Sequence, residues 1–186
     1  MSFFKRRGVA VVISACIVFA SMLLSTDIQF GAKCSEITDG FYNGVYYNGY
    51  SHPSIAGQLL NISGYADGIA TIAKRYDIDT RDLLDSNSDL KLSLSYSRGD
   101  ESYIHYCYDE LMSVLRAVEG ELEDAQLNDR DKSGLEQYIS SISGAQKSID
   151  EAGYNETVSS FLRDYDHFPT NALAEMAGVE MPEYFN

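Results

Sequence analysis

From Ile55 onward the chain carries an apolar seam that leaves little choice of fold. Ile55, Leu59, Ile62, Ala66, Ile69, Ala73 and Tyr76 recur at alternating spacings of four and three residues. A period of about 3.5 puts every member on one stripe of an α-helix and excludes the two-residue alternation of a half-buried strand. A stripe sustained this long describes a helix packed lengthwise against others. Pro53, just before it, suits a first helical turn.

Two further seams follow. One runs through Ile104, Cys107, Leu111, Val114 or Leu115, Val118, Leu122 and Ala125. The other takes Leu135, Tyr138 or Ile139, Ile142, Ala145, Ile149 and Ala152, and continues through Val158, Phe161 and Leu162. Between the first two lies a more polar segment with Leu83, Leu84, Leu90 and Leu94, for which Asp79 or Thr80 offers an N-cap. Arg98-Gly99-Asp100 marks a turn, and its match to an integrin-binding tripeptide reads as chance. Pro169 ends the last pattern, and a short helix over 172–177, capped by Thr170 or Asn171, closes at Gly178. No segment alternates with period two, so the expected fold is all-α: an antiparallel bundle of about four helices over 51–186.

Ahead of the bundle, Lys5, Arg6 and Arg7 precede an uncharged run over 8–26 that Asp27 ends. Nineteen helical residues span ~28 Å, close to the ~30 Å hydrocarbon core of a bilayer. The run is longer than the apolar core of an ordinary cleaved leader, so it reads as a retained anchor, with cleavage near Leu23-Leu24-Ser25 as the competing reading. The basic tip over 1–7 would be cytoplasmic and everything after residue 26 outside. Residues 27–50 read as a tether: Gly31, Gly40, Gly44 and Gly49 disfavour a long regular helix, and Phe41, Tyr42, Tyr46, Tyr47 and Tyr50 would serve either as a membrane-interface belt or as the start of the core.

The chain of 186 residues holds 14 basic and 28 acidic side chains. With the three basic residues of the tip set aside, 11 remain against 28, a balance of −17. That argues against nucleic acid as a partner, because such binding rests on basic residues neutralising phosphates. It also argues against a domain lying flat on anionic lipid.

Sequence spacing offers no reaction centre. His52, His105 and His167 lie far apart, and no Cys-x-x-Cys, His-x-x-x-His or Glu-x-x-His is present, so no metal site and no cofactor are expected. There is no nucleophile elbow, phosphate loop or dinucleotide fingerprint, so no catalytic residues are assigned and the chain is expected not to be an enzyme. Outside the apolar run stand Cys34 and Cys107. Either they pair across an oxidising exterior, or Cys107 is a small core residue on its seam and Cys34 is free.

The most specific segment is the C-terminal one: Tyr154-Asn155-Glu156-Thr157-Val158, then Phe168-Pro169, Ala174, Gly178 and Tyr184-Phe185. This spacing resembles the C-terminal signature of the LemA family of membrane-tethered, helical bacterial proteins. The family's second Asn is Leu162 here, and its first-helix motif has no counterpart between Ile55 and Tyr65. The resemblance implies a helical bundle of the cell envelope and mostly structural roles for these residues. Asn155 is expected to bridge two helices near the bundle end, with Tyr154 and Val158 beside it. The implied function is a non-catalytic binding or scaffold protein, held to the membrane through 8–26, with an envelope protein or a second copy as partner and the stretch from Phe168 to Phe185 either as contact surface or packed on its own bundle. Two alternatives are an ectodomain subunit of a sensing complex and an envelope enzyme using clustered carboxylates.

Overall fold

A computed structural model describes residues 2–47, 50–165, 167 and 170–186. The fold is all-α. The helices are α1 (Ser2–Asn43), α2 (Ile55–Ala73), α3 (Arg81–Tyr96), α4 (Glu101–Asp124), α5 (Asp129–Asp150), α6 (Tyr154–Tyr165) and α7 (Thr170–Ala177). A 3-10 turn, Lys74–Tyr76, extends α2. The chain forms two compact units, Met1–Ile37 with Thr157–Pro182, and Thr38–Glu156 with Glu183–Asn186. The domain boundary expected at residue 51 therefore lies inside the second unit.

The second unit is the bundle. Its helices α2 to α5 are joined by connections of four residues, 77–80, 97–100 and 125–128, short enough to force antiparallel neighbours. Helix α2 packs on α5, α3 and α4, and α3 packs on α4. The α2 seam is the core: Leu59, Ile62, Ala66, Ile69 and Ala73 are all fully buried, and burying each large aliphatic contributes about 1.5–3 kcal/mol. On α4 the buried positions Ile104, Cys107, Leu111, Leu115, Val118 and Leu122 follow the expected stripe, with Met112 widening it.

Capping residues set the helix starts. Ser54 accepts from the Gly57 amide at 3.0 Å, Asp100 from Tyr103 at 3.0 Å and Asn128 from Asp131 at 2.9 Å. At α3 the side chain of Asp79 accepts from the Arg81 amide at 3.0 Å, whereas Thr80 makes no side-chain cap. The Arg-Gly-Asp turn has structural work in all three residues. Arg98 ion-pairs with Asp39, Gly99 takes φ +93°, and Asp100 caps α4.

Three expectations give way. The segment read as a glycine-broken tether is helical to Asn43, so α1 is 42 residues and about 63 Å long. At Gly44 glycine decides the backbone: φ is +83°, and a Cβ there would lie 2.4 Å from the His52 carbonyl oxygen. Beyond it Val45–Tyr47 (β1) and Tyr50–His52 (β2) form a small antiparallel ladder, with Val45 opposite His52 and Tyr47 opposite Tyr50. The last seam is also divided. Helix α5 stops at Asp150 and α6 begins at Tyr154, because Gly153 takes φ +65°, which no helical residue can share.

In the first unit, the ring of Phe30 on α1 meets those of Phe161 and Tyr165 on α6 at 6.2 and 5.9 Å. Helix α7 ends as expected at Gly178, where φ is +73°. Val179 donates to the Ala174 carbonyl at 3.1 Å and Gly178 to that of Glu175 at 3.1 Å, the paired bonds of a Schellman motif. Along α1 the apolar side chains of the expected anchor, among them Val11 at 68% and Leu24 at 65%, are exposed. This helix, near the N-terminus, is long and apolar enough to cross a membrane.

Candidate functional site: a buried carboxylate and a C-terminal plug

The chemistry-bearing side chains of the second unit gather where α1 ends, α4 and α6 begin, and the last residues of the chain return. Phe41, fully buried, is the hub. Its ring lies 5.1 Å from Tyr42, 5.3 Å from Tyr154 and 5.4 Å from Phe185. Phe185 also meets His105 edge-on at 4.7 Å and Tyr108 at 6.2 Å. These tilted and edge-to-face pairs are the arrangements aromatic quadrupoles favour.

Asn155 fixes the plug. Its Nδ2 donates to the Phe185 carbonyl at 2.9 Å, and its Oδ1 accepts from the Phe185 amide at 2.8 Å. The expected amide bridge therefore exists, but Asn155 is only half-buried and its partner is the irregular C-terminal segment, not a second helix. Backbone outside regular secondary structure offers both of its polar groups to one amide side chain, which a helix interior cannot do.

Beside the plug lies Glu101, in the first turn of α4 and fully buried. Neither of its carboxylate oxygens, nor the buried hydroxyls of Tyr42 and Tyr154, has a partner at hydrogen-bond geometry. Burial pushes the Glu101 carboxyl up; the amides of Glu101 and Gly99 oppose this, and Glu183 and Asp100 add to it. Burial also lifts the Tyr42 phenol to about 12, with Glu101 and Asp100 reinforcing the shift and Arg98 opposing it. The Tyr154 phenol is raised too, by burial and then by Glu101, Tyr42 and Glu183. The Arg98 guanidinium sits 5.0 Å above the Tyr42 ring, a cation–π contact at the rim of the cluster. A carboxyl so placed can hold a proton.

Comparison with protein-family models, curated proteins and solved structures returned no match. The chemistry of the cluster thus rests on its own geometry.

The described C-terminal signature residues are divided between the two units. Tyr154, Asn155, Tyr184 and Phe185 belong to the second unit, and Val158, Ala174 and Gly178 to the first. Val158 and Ala174 are fully buried, Tyr154 and Phe185 are 7% exposed, and Tyr184 is half-buried. Phe168 and Pro169 lie outside the described residues. Cys34, in the first unit, and Cys107, in the second, are both free and buried, and Cys107 lies on the α4 seam. Among the described residues no group of three or more His, Cys, Asp or Glu side chains is placed to hold a metal. His105 Nδ1 lies 3.4 Å from Asp109 Oδ2, one helical turn on.

A second polar cluster, missed in the sequence, ties α2 to α5. Asp131, 4% exposed, accepts from Tyr76 Oη at 3.0 Å and Asn128 Nδ2 at 2.8 Å, and ion-pairs with Arg75. The Tyr76 hydroxyl in turn accepts from the backbone and side-chain nitrogens of Asn128, at 3.0 and 2.9 Å. Burial raises the Asp131 pKa, but the bonds from Tyr76 and Asn128 and the charge of Arg75 outweigh it and hold the carboxyl below its ordinary value. The network closes the loop between α4 and α5 onto the end of α2. Its only trace in sequence is the Asn128-x-x-Asp131 cap, since Tyr76 reads as one more seam residue.

Proposed function

We propose that this chain is a membrane-anchored, helical-bundle protein of the cell envelope, similar to the LemA family, that works by binding on the outer side of the membrane. The exposed apolar run of α1 carries the reading: side chains such as Val11, Val12, Ile17 and Leu24 need an apolar surrounding that the chain itself does not provide. Lys5, Arg6 and Arg7 before the run and the acidic excess after it support a cytoplasmic N-terminus and an outer bundle. The Asn155–Phe185 pairing supports the likeness to the family, because it gives two signature residues one shared structural task. The packing of Phe185 on Phe41 within its own bundle supports the exposed helix faces as the contact surface for a protein partner or a second copy.

Membrane fractionation followed by protease treatment of spheroplasts tests this reading. The full-length chain should resist alkaline extraction from membranes, and external protease should remove the bundle. A shortened, freely soluble chain would replace the anchor with a cleaved leader, and a bundle protected from external protease would reverse the orientation.

A further inference from the structure

The helical hairpin of α3 and α4 turns an apolar, aromatic face outward. Leu92 is 51% exposed, Tyr96 84%, Tyr103 47% and Tyr106 60%, values far above those of a core seam. Tyr103 and Tyr106, one turn apart on α4, stack with ring centroids 6.4 Å apart and planes 18° from parallel. On α3, Asp89, Leu92 and Tyr96 share one face by their spacing of three and four. The two stripes lie on helices that pack against each other. Glu110 extends the α4 stripe one turn beyond Tyr106. The basic residues that flank Leu92 and Tyr96 in sequence are engaged elsewhere, Lys91 with Asp67 at 2.8 Å and Arg98 with Asp39.

Such a face selects its occupant by charge. A second copy would bring the same carboxylates against Asp89 and Glu110, and like charges in contact are costly. An anionic lipid surface is repelled for the same reason. A guanidinium group fits. It stacks on tyrosine rings, pairs with flanking carboxylates through its planar fork of donors, and gives up its hydration more readily than an ammonium. We propose that the outward face formed by Leu92, Tyr96, Tyr103 and Tyr106, rimmed by Asp89 and Glu110, is a docking surface for an arginine-bearing cationic segment of another protein. The proposal rests on the reading of the chain as a binding protein and names the class of partner.

The test uses the full chain in uncharged detergent micelles and a labelled peptide alternating arginine and serine, with lysine and glutamate counterparts of the same length. The arginine peptide should bind saturably and more tightly than the lysine peptide, and the glutamate peptide should not bind. Tyr103→Ser with Tyr106→Ser should weaken arginine binding about ten-fold, the loss of two exposed cation–π contacts, with the melting profile of the bundle unchanged. Tyr96→Ser, at the most exposed ring, gives an independent variant that cannot act through folding. Asp89→Asn with Glu110→Gln should reduce the salt dependence. Wild-type affinity in the tyrosine variants would overturn the proposal, since binding would then be spread over the acidic surface. So would equal affinity for the two cationic peptides, no binding of either, or self-association of the wild-type chain that the tyrosine variants abolish. None of these outcomes bears on anchoring or orientation, which fractionation and protease treatment read separately.

Discussion

Asn155 holds both backbone polar groups of Phe185, donating to its carbonyl at 2.9 Å and accepting from its amide at 2.8 Å. One side chain thereby closes the bundle over the Phe41 ring. Asn155→Ala leaves both Phe185 groups without a partner, at a cost of about 1–3 kcal/mol. The thermal midpoint should fall, and hydrogen exchange at the Phe185 amide should accelerate more than at α2 amides. An unchanged midpoint with unchanged exchange would remove the clamp from the account.

Glu101 sets a pH dependence of defined sign. Its folded-state pKa is raised, so between the ordinary Glu value of about 4.3 and that folded value the native state binds more protons than the unfolded chain. Stability attributable to this residue is greatest at acid pH and declines as pH rises through that window. Glu101→Gln should be more stable than wild type at neutral pH by about 1–3 kcal/mol, the penalty of an uncompensated buried group. Denaturant titrations across pH should show the gap closing once wild-type Glu101 is protonated. A constant gap would mean the carboxyl is not the cause.

Tyr76 and Asp131 act with the opposite sign. The Asp131 pKa is depressed, so its contribution is present above the ordinary Asp value of about 3.9 and is lost as pH falls through the folded value. Tyr76→Phe removes one bond to the carboxylate and two from Asn128, and should destabilise by about 1.5–3 kcal/mol. It should also flatten the acid limb of the stability profile. A profile parallel to wild type would show that the hydroxyl does not tune Asp131.

Gly68 and Tyr138 make a coupled pair across α2 and α5. A Cβ at Gly68 would lie 2.5 Å from Cζ of the Tyr138 ring. In the wild-type background, Gly68→Ala should displace that ring and destabilise the bundle. With Tyr138→Ala already present, the same change should stabilise by about 0.8–1 kcal/mol, the ordinary helix preference for Ala over Gly. A double-mutant cycle reads the reversal. Equal effects in both backgrounds would mean that the ring yields freely.

The seams at Ile55 to Tyr76 and Ile104 to Leu122 were legible because burial repeats with the helical turn. The cap at Gly178 was legible because its backbone conformation favours glycine. The β1–β2 ladder was not recognised, although Asn48-Gly49 between Tyr47 and Tyr50 is a strong short-range hairpin signal. The division between α5 and α6 hung on Gly153, one glycine among several in helix-like sequence, whose φ no periodicity reveals. Glu101 was invisible as a buried group, because an acid in a first helical turn is ordinarily a solvated partner of the helix dipole.

Local sequence determined what repeats locally: helices with apolar stripes, an anchor-length run, and a charge step across it. Hydrophobic spacing and chain polarity suffice for these, since each depends on neighbours a few residues away. Tertiary structure decided which distant groups meet. It brought Phe185 onto Asn155, buried Glu101 beside Tyr42 and Tyr154, joined Tyr76 to Asp131, and left Tyr96, Tyr103 and Tyr106 facing outward. Those outcomes depend on which side of each helix the packing covers and on where the chain returns, and no periodicity within a single segment carries that information.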